Sequence, residues 1–412
     1  MQKNPIIGID LGTTNSCAAL AAEDGSVKLI PYKGGDYTVP SIFAIDDKGN
    51  ELIGHEAKRQ WQLNPRNTIY GAKRLVGRSY RSDVVETMRK VVGYTVKPGD
   101  RNDVVIDVAH REFTLQEVSA RILNKIRDVA SNHLRTPVNR AVVTVPAYFN
   151  DRQRQAVKDA GKLIDLEVVR IINEPTAAAL AYGVGKGLRE TVVIYDLGGG
   201  TFDVSIIEIR DRVFEVKATG GDIFLGGIDF DNALIHHVLA DFASRTGIDL
   251  STDPVAMQRI KDLAERTKCD LSSREEAPFN IPFITMTAQG QPLNIEMKFT
   301  RTLLEELTAP LVDRTLQIVA RVLVDSGVST KAVDEVMLVG GQTRMPVVQQ
   351  RLTRFFGKAP SKGVHPDEAV AIGAALYAHS LQDDTNLRLQ LLDVIPMAIG
   401  LESPPATAGG PD

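Results

Sequence analysis

The stretch Gly8-Ile9-Asp10-Leu11-Gly12-Thr13-Thr14 decides the fold, because a second version of it occurs much later in the chain. The second version reads Tyr195-Asp196-Leu197-Gly198-Gly199-Gly200-Thr201. Each version follows an apolar run typical of a strand, Pro5–Ile7 in the first and Val192–Ile194 in the second. Two versions this far apart indicate a duplicated lobe, since solenoid repeats span only roughly 20–50 residues.

Each version combines a carboxylate, glycines and threonine hydroxyls, a set suited to a phosphate chain with its metal. Glycines let bare N–H groups approach a ligand, and consecutive N–H donors form an anion-binding concavity. Asp10 or Asp196 alone would repel phosphate. Mg²⁺ reverses this, because it binds few carboxylates, several waters and phosphate oxygens. Either version alone could be an ordinary turn between strands, but the pair predicts a nucleotide-hydrolysing protein.

The composition is that of an ordinary globular chain, with 412 residues, 43% hydrophobic and 24% charged. The net charge of −4 gives no signal for nucleic acid or an anionic membrane as partner. The two cysteines, Cys17 and Cys269, are too few for a disulfide framework or a four-ligand zinc site, and they fit a reducing compartment. No segment approaches the ~20 apolar residues of a membrane span, so we expect a cytoplasmic protein.

Strand and helix patterns alternate along the chain, which indicates α/β architecture. The first ~45 residues predict a meander of strands. The remaining predictions of the first half are a helix over Phe113–Leu134 after the N-cap Thr114, strands Ala141–Val145 and Val168–Ile172, and helices Asp151–Lys162 and Thr176–Tyr182. Those of the second half are strands Thr191–Leu197, Val204–Ile209, Val213–Gly220 and Glu335–Val339, a hairpin over Ala277–Phe299, and helices Ile228–Thr246, Asp253–Leu271, Arg301–Ser326, Met345–Phe356 and Pro366–Leu381.

Further motifs accompany the pair: Ala72-Lys73-Arg74-Leu75, Val145–Phe149, Ile172–Ala178, Leu225-Gly226-Gly227, Val339–Arg344 and Pro366–Ala369. Together they make the chain resemble the 70-kDa heat-shock chaperones of the bacterial DnaK type, over about residues 5–402. The resemblance implies an actin-like α/β fold, with duplicated inner sheets and outer subdomains around a central nucleotide cleft. It implies lobe I in 1–186, lobe II in 187–384, an interdomain linker and the first strand of a peptide-binding domain in 385–402, and a disordered tail in 403–412.

The resemblance implies ATP or ADP, Mg²⁺ and K⁺ as cofactors. Asp10 and Asp196 would hold Mg²⁺ largely through its waters, and Lys73 would touch the γ-phosphate and position the attacking water. Glu174, Asp203 and Thr201 would complete the catalytic set, although Lys73 alone reads as a surface lysine and Glu174 as a turn residue. The residues implied to bind the phosphates are Gly12, Thr13, Thr14, Asn15, Gly198, Gly199, Gly200, Thr201, Gly226 and Gly227.

Nucleoside binding is implied for the second lobe. Glu265, Lys268 and Ser272 share one helix face, which by itself is typical of an ordinary solvated surface. The resemblance assigns adenosine to this face together with Gly340, Gly341, Arg344 and Asp367, and the planar guanidinium of Arg344 could stack on the base. Some relatives carry a second arginine where this chain has Cys269, so we expect modestly weaker nucleotide binding.

Coupling elements follow from the same resemblance. Pro146 with Arg154 is similar to the family's proline switch, and Leu389–Val394 to its interdomain linker, with Gln390 in an otherwise aliphatic position beside Leu391 and Leu392. Arg170, Asn173 and Asp393 match positions that meet the J-domain cochaperone. The nucleotide exchange factor would bind near Gly247–Gln258. Unfolded client peptides are expected partners only if a peptide-binding domain follows.

Ile223, Phe224 and Ile228 stand where the family usually has polar residues, which predicts altered contacts between lobes or with partners. The chain also stops just after Pro396–Glu402, as either an engineered fragment or a shortened member would. These features favour an alternative, a nucleotide-dependent regulator without client-folding activity. A sugar or acetate kinase of the same fold would need an acceptor pocket, for which no motif is present.

Overall fold

The computed structural model describes residues 4–32, 35–61, 63–361, 365–382 and 388–394. The predicted first strand of a peptide-binding domain, Pro396–Glu402, and the predicted tail in 403–412 lie outside the described residues.

The first half of the chain contains an inner sheet and two small outer sheets. Its strands are β1 (Ile6–Asp10), β2 (Asn15–Ala21), β3 (Val27–Leu29), β4 (Thr38–Pro40), β5 (Phe43–Ile45), β6 (Glu51–Ile53), β7 (Thr68–Ile69), β8 (Thr95–Pro98), β9 (Val104–Val108), β10 (Arg111–Thr114), β11 (Arg140–Val145) and β12 (Glu167–Asn173). Its helices are α1 (His55–Gln60), α2 (Asp83–Val91), α3 (Leu115–Leu134), α4 (Asp151–Lys162) and α5 (Glu174–Gly183).

The second half contains an inner sheet and an outer hairpin. Its strands are β13 (Arg189–Leu197), β14 (Phe202–Arg210), β15 (Val213–Asp222), β16 (Glu276–Met286), β17 (Pro292–Thr300), β18 (Glu335–Val339) and β19 (Gln390–Leu392). Its helices are α6 (Gly227–Thr246), α7 (Pro254–Leu271), α8 (Arg301–Ser326), α9 (Pro346–Phe356) and α10 (Ala369–Ser380).

The two inner sheets share a four-stranded core of the same topology, which β12 extends at one edge of the first sheet and β19 extends at the opposite edge of the second. Their strand orders are β12-β11-β1-β2-β3 and β18-β13-β14-β15-β19. In each, three consecutive strands pair antiparallel, and a later strand, β11 or β18, pairs parallel to the first of the three. The sheets confirm the predicted α/β class and the duplication that the repeated motif predicted.

Helix boundaries follow local hydrogen-bonding chemistry. Thr114 caps α3 through a capping box with Glu117, in which each side chain pairs with the other residue's backbone N–H. The apolar face of α3 then packs in the core beneath the first inner sheet. In the second half, α6 and α8 each end at a glycine in the left-handed region, Gly247 and Gly327.

Two helices of small residues, α5 and α10, cross between the halves. Helix α5 follows β12 of the first sheet but packs on β13, β14 and β15, whereas α10 packs on β1 and β2. A Cβ on Gly373 would lie 1.7 Å from the Ala177 carbonyl oxygen, so only glycine permits this crossing. The two helices hold both inner sheets against one shared core. The predicted lobe boundary at 186/187 stays a prediction.

Some predicted boundaries were wrong. The last helix begins at Ala369, because residues 366–368 form a turn, and Phe113 and Thr114 belong to β10 and not to α3. Helix α2 and the sheet β10-β9-β8 occupy a region for which the sequence patterns gave no prediction. Within the described ranges, no helix has both the length and the apolar character needed to cross a membrane.

Candidate functional site

A cavity opens between the two inner sheets, and most of the predicted site residues line it. Its walls come from both repeated loops, from the turn that carries Lys73, from the start of α5 and from α7. The predicted residues that line it are Asp10, Gly12, Thr13, Thr14, Asn15, Lys73, Glu174, Asp196, Gly198, Gly199, Thr201, Gly227, Glu265, Lys268, Gly340, Gly341, Arg344 and Asp367.

Buried carboxylates gather at the inner end of the cavity. Burial, with the negative charge of Glu174, raises the pKa of Asp10 to about 7 and that of Asp203 to about 8. The same causes raise the pKa of Asp196 well above its ordinary value. The positive charge of Lys73 opposes all three shifts. The arrangement therefore favours an additional cation close to these carboxylates.

Lys73 and Glu174 form a buried ion pair, with Nζ donating to Oε1 at 2.5 Å. Lys73 lies in a short 3₁₀ helix, Ala72–Arg74, after Gly71 in the left-handed region. Glu174 is the first residue of α5, and Pro175 follows it in the first turn, where its missing N–H costs nothing. Two residues 101 positions apart are thus brought together at the carboxylate cluster.

The two repeated loops face each other across the cavity. A Cβ on Gly199 would lie 1.9 Å from the Thr14 hydroxyl oxygen, so the glycine allows the second loop to approach the first. That hydroxyl is buried and has no hydrogen-bond partner among the described residues, and the same holds for Oδ1 of Asp203. A phosphate with its bound water would satisfy both groups.

The described residues fit a metal held through water and do not fit a chelated one. No group of three or more His, Cys, Asp or Glu side chains is arranged to hold a metal ion directly in the part of the chain that the structure describes. Two separate aspartates, Asp10 and Asp196, border the same cavity as the threonine hydroxyls. Mg²⁺ keeps several waters and takes one or two carboxylates with substrate phosphates, so this donor set suits it.

The other end of the cavity carries groups suited to a nucleoside. Arg344 donates to Asp367 at 2.6 Å and lies 2.8 Å from Nε2 of His365, which holds its planar guanidinium at the rim. Lys268 is buried, donates to the Gly227 carbonyl and pairs with Asp231 at 2.9 Å. Burial raises the pKa of Asp231 to about 6 despite this lysine.

Four predicted residues do not line the cavity: Asp203, Gly200, Gly226 and Ser272. Asp203 lies directly behind it, paired with Asp196 across β13 and β14. The Ser272 hydroxyl donates to the Lys268 carbonyl oxygen at 3.4 Å. The cavity adds residues that were not predicted to bind nucleotide, namely Cys17, Thr38, Cys269, Gln342, Pro366 and Val370.

Three of the predicted coupling residues, Arg154, Asn173 and Asp393, lie close to the start of α5. Arg154, beyond Pro146 and at the start of α4, donates to Oδ1 of Asn173 at 2.6 Å and to the Phe149 carbonyl at 3.0 Å. Strand β19 adds to the second inner sheet parallel to β15, with Leu391 opposite Phe214 and Leu392 opposite Glu215. Asp393 then accepts a hydrogen bond from Thr176 at 2.9 Å. Arg170 lies on β12 with its guanidinium near the surface.

The sequence model of the protein family described as Hsp70 protein matches residues 6–408, nearly the whole chain. The duplicated inner sheets and the cavity between them agree with the actin-like ATPase fold of that family. Members of the family are chaperone ATPases that bind ATP and ADP together with a divalent metal. The chain therefore belongs to the Hsp70 family and carries its ATPase domain.

Proposed function

We propose that the chain is a Mg²⁺-dependent ATP hydrolase of the DnaK type, in which the nucleotide drives lobe closure and docking of the interdomain linker. The observation that carries the proposal is that both aspartate–glycine–threonine loops, Lys73 and Glu174 border one cavity. The half-buried Asp10 and the buried Glu174 and Asp196 lie at its inner end, and the buried Asp203 lies directly behind them. Lys73 pairs with Glu174 and opposes the raised pKa of the three aspartates. A metal–phosphate complex supplies both the positive charge and the hydrogen-bonding groups that such a cavity lacks.

Asp10 and Asp196 would hold Mg²⁺ through its water ligands, and the bound ion would neutralise charge on the phosphate oxygens. A divalent cation nearby favours the ionised carboxylate and so reverses the rise in the pKa of both aspartates. K⁺ is proposed as a second cation from the family resemblance alone.

The catalytic step needs positioning and electrostatic stabilisation more than covalent chemistry. Lys73 would donate to the γ-phosphate and to the attacking water, and Glu174 would fix the orientation of its ammonium group. Asp203, with a free buried oxygen, would accept a hydrogen bond from that water. Thr201 would donate its hydroxyl to the phosphate from the end of the second loop.

The adenosine would lie between α7 and the segment that contains Arg344. The guanidinium of Arg344 is held by Asp367 and can stack on one face of the base. Glu265 and Lys268, which border the same cavity, would contact the ribose. The exposed Cys269 leaves the opposite face of the base without a second guanidinium.

Linker docking would act on catalysis through the start of α5. Asp393 of the linker accepts a hydrogen bond from Thr176, two residues after Glu174. A J-domain cochaperone that contacts Arg170, Asn173 and Asp393 would thus act on the helix that carries the catalytic glutamate. An exchange factor would bind near Gly247–Gln258, on the other side of the cleft. We place the protein in the cytoplasm on its cysteine content.

The test is phosphate release from ATP by the purified chain, with and without Mg²⁺ and a J-domain protein. We expect slow Mg²⁺-dependent turnover that the J-domain protein accelerates. Leu391→Asp should undock the linker and remove that acceleration, whereas the exposed Leu163→Asp should not. Absence of turnover would overturn the ATPase proposal. Turnover that changes neither with the cochaperone nor with the Leu391→Asp substitution would favour the alternative function, a nucleotide-dependent regulator without client-folding activity.

A further inference from the structure

We propose that Phe224 is a positioning residue that acts through Arg74: together they hold the phosphate loop of lobe II against the turn carrying Lys73, and so control nucleotide release. The inference rests on the proposed ATPase function. It concerns the contact between Arg74 and Phe224, neither of which belongs to a repeated motif.

Arg74 is a buried cation that reaches from the first half into the second. Its side chain is 3% exposed and donates to Oδ2 of Asp229 at 2.8 Å. Its Nε donates to the Gly200 carbonyl oxygen at 2.8 Å, and a terminal nitrogen donates to the same oxygen. Gly200 belongs to the second phosphate loop, so Arg74 fixes that loop from the opposite half.

Phe224 completes the enclosure of this guanidinium. It lies on the loop between β15 and α6, and Cζ of Arg74 stands 5.4 Å from the centre of its ring. Phe224 also packs against the outer core of the first half, which includes Leu75, Val76 and Met88. An apolar, partly buried side chain of the second half therefore packs against the outer core of the first.

The Phe224 loop is itself held in place. The Phe224 N–H donates to Oδ1 of Asp222 at 2.9 Å, and Asp222 pairs with Arg314 of α8. At the start of α6, Asp229 accepts a hydrogen bond from the Gly226 N–H at 2.9 Å. The carboxylate that pairs with Arg74 is therefore also held by the backbone of its own half. These restraints make the Phe224 ring a fixed surface for the guanidinium.

Arg74 follows Lys73 directly on one short 3₁₀ helix. One cation therefore pairs with Glu174 while its neighbour binds the Gly200 carbonyl across the cleft. Anything that moves Arg74 relative to Gly200 also moves Lys73 relative to the phosphate loop. Opening of the cleft must expose the Phe224 ring and break its contact with the Arg74 guanidinium, and both changes are unfavourable.

Phe224 is one of the three apolar residues that depart from the family's usual polar pattern. A polar side chain there could not supply both the ring face for Arg74 and the apolar packing against the outer core of the first half. The aromatic residue should therefore slow cleft opening in this chain, and nucleotide release with it.

The experiment measures release of ribose-labelled fluorescent ADP, in the presence of Mg²⁺, from the full chain and its variants. Phe224→Ala should release ADP about tenfold faster, since a cation–π contact and a buried ring together contribute at least 1.4 kcal/mol, or about a factor of ten. Phe224→Tyr keeps the ring and should restore slow release. Phe283→Ala, at an exposed ring on the outer hairpin, is the matched control and should leave release unchanged.

A second measurement uses the fluorescence of Trp61, the single tryptophan, to follow cleft closure. Trp61 and Ile228 both border a cavity between the outer parts of the two halves. Its fluorescence change on adding ADP should be smaller in Phe224→Ala than in the native chain and in Phe224→Tyr. If Phe224→Ala does not fold, Phe224→Leu keeps the apolar packing without the ring and should still release ADP faster.

The outcomes separate the two proposals. An active Phe224→Ala that releases ADP at the native rate overturns the role of Phe224 and leaves the ATPase proposal intact. A native chain that binds ADP but does not hydrolyse ATP overturns the proposed function, whereas faster release in Phe224→Ala with rescue by Phe224→Tyr supports the inference.

Discussion

The two repeated loops share a backbone frame and differ in what surrounds their aspartates. In the first, Asp10 faces Cys17 across the antiparallel pair and Thr144 across the parallel one. In the second, Asp196 faces Asp203 and Val339 at the same positions. The first copy therefore has a hydrogen-bond donor and one carboxylate, and the second has two carboxylates and no donor.

The difference shows how one duplicated frame can serve two chemical roles. The Thr144 hydroxyl donates to Asp10 at 3.4 Å and partly opposes the rise in the pKa of Asp10 that burial causes. This hydrogen bond favours the ionised form, which a metal needs. Burial and the charge of Glu174 contribute most to the raised pKa of Asp196, and the negative charge of Asp203 raises it further. The first copy thus suits metal and phosphate binding, and the second adds an acceptor for water.

The largest expected effect comes from removing Lys73, the cation that acts on the aspartates of both copies. Lys73 opposes the raised pKa of Asp10, Asp196 and Asp203 alike. Lys73→Ala should lower kcat for ATP hydrolysis about 10²–10³-fold, the usual loss for one preorganised donor at a developing charge. Nucleotide should still bind, as measured by calorimetry with ADP and Mg²⁺. Normal turnover in this variant would contradict the assigned role, and the exposed Lys162→Ala is the control.

The second prediction compares the matched positions Asp203 and Cys17. Asp203→Asn should lower single-turnover hydrolysis about 10–100-fold, because the water loses the carboxyl group that would orient it and accept its proton. Cys17→Ser, at the equivalent position of the first copy, should change the rate by less than about threefold. Equal effects of the two variants would mean that the copies do not divide the chemistry.

The third prediction concerns the pH dependence of stability without nucleotide. The folded-state pKa of Asp203 is raised from 3.8 to about 8, so the folded protein binds this proton more tightly than the unfolded chain. The free energy of unfolding should therefore fall as the pH rises through that window, and the loss is complete above it. Asp203→Asn should raise the free energy of unfolding at pH 8 by about 1–3 kcal/mol, the cost of one unpaired buried group.

Denaturant unfolding followed by circular dichroism, at a pH near 5 and at a pH near 8, measures this difference. The gain from Asp203→Asn should be larger at the higher pH, where about half of the native carboxyl groups are ionised. A gain independent of pH would show that the substitution acts through packing and not through charge.

The smallest expected effect comes from making the first copy resemble the second. Thr144→Val removes the weak hydrogen bond to Asp10 while keeping the side-chain shape. The pKa of Asp10 should rise further above 7, so the Mg²⁺ concentration for half-maximal turnover should rise about twofold at neutral pH. The reciprocal Val339→Thr places a donor beside Asp196, and the Mg²⁺ concentration for half-maximal turnover should fall or stay unchanged. A decrease in the Thr144→Val variant would contradict the comparison.

Much of the site was predictable because many of its functional groups occur in contiguous sequence motifs. Gly198–Thr201 and Asp10–Thr14 each carry their own turn, and Thr114 with Glu117 signals a helix start within four residues. The family resemblance supplied the roles of Lys73 and Glu174, whose residue types alone gave only a surface lysine and a turn residue. The region of α2 and β8 to β10 gave no usable pattern, because its strands are short and pair only with one another.

The sequence by itself determined the duplication, the loops that suit phosphate and the helices of small residues, since these depend on residue types close together in the chain. Only the tertiary structure decided that Arg74 crosses the cleft to Gly200, Asp229 and Phe224. These contacts join residues more than a hundred positions apart. Strand register and the packing of the two halves fix them, and no local pattern in the sequence carries that information.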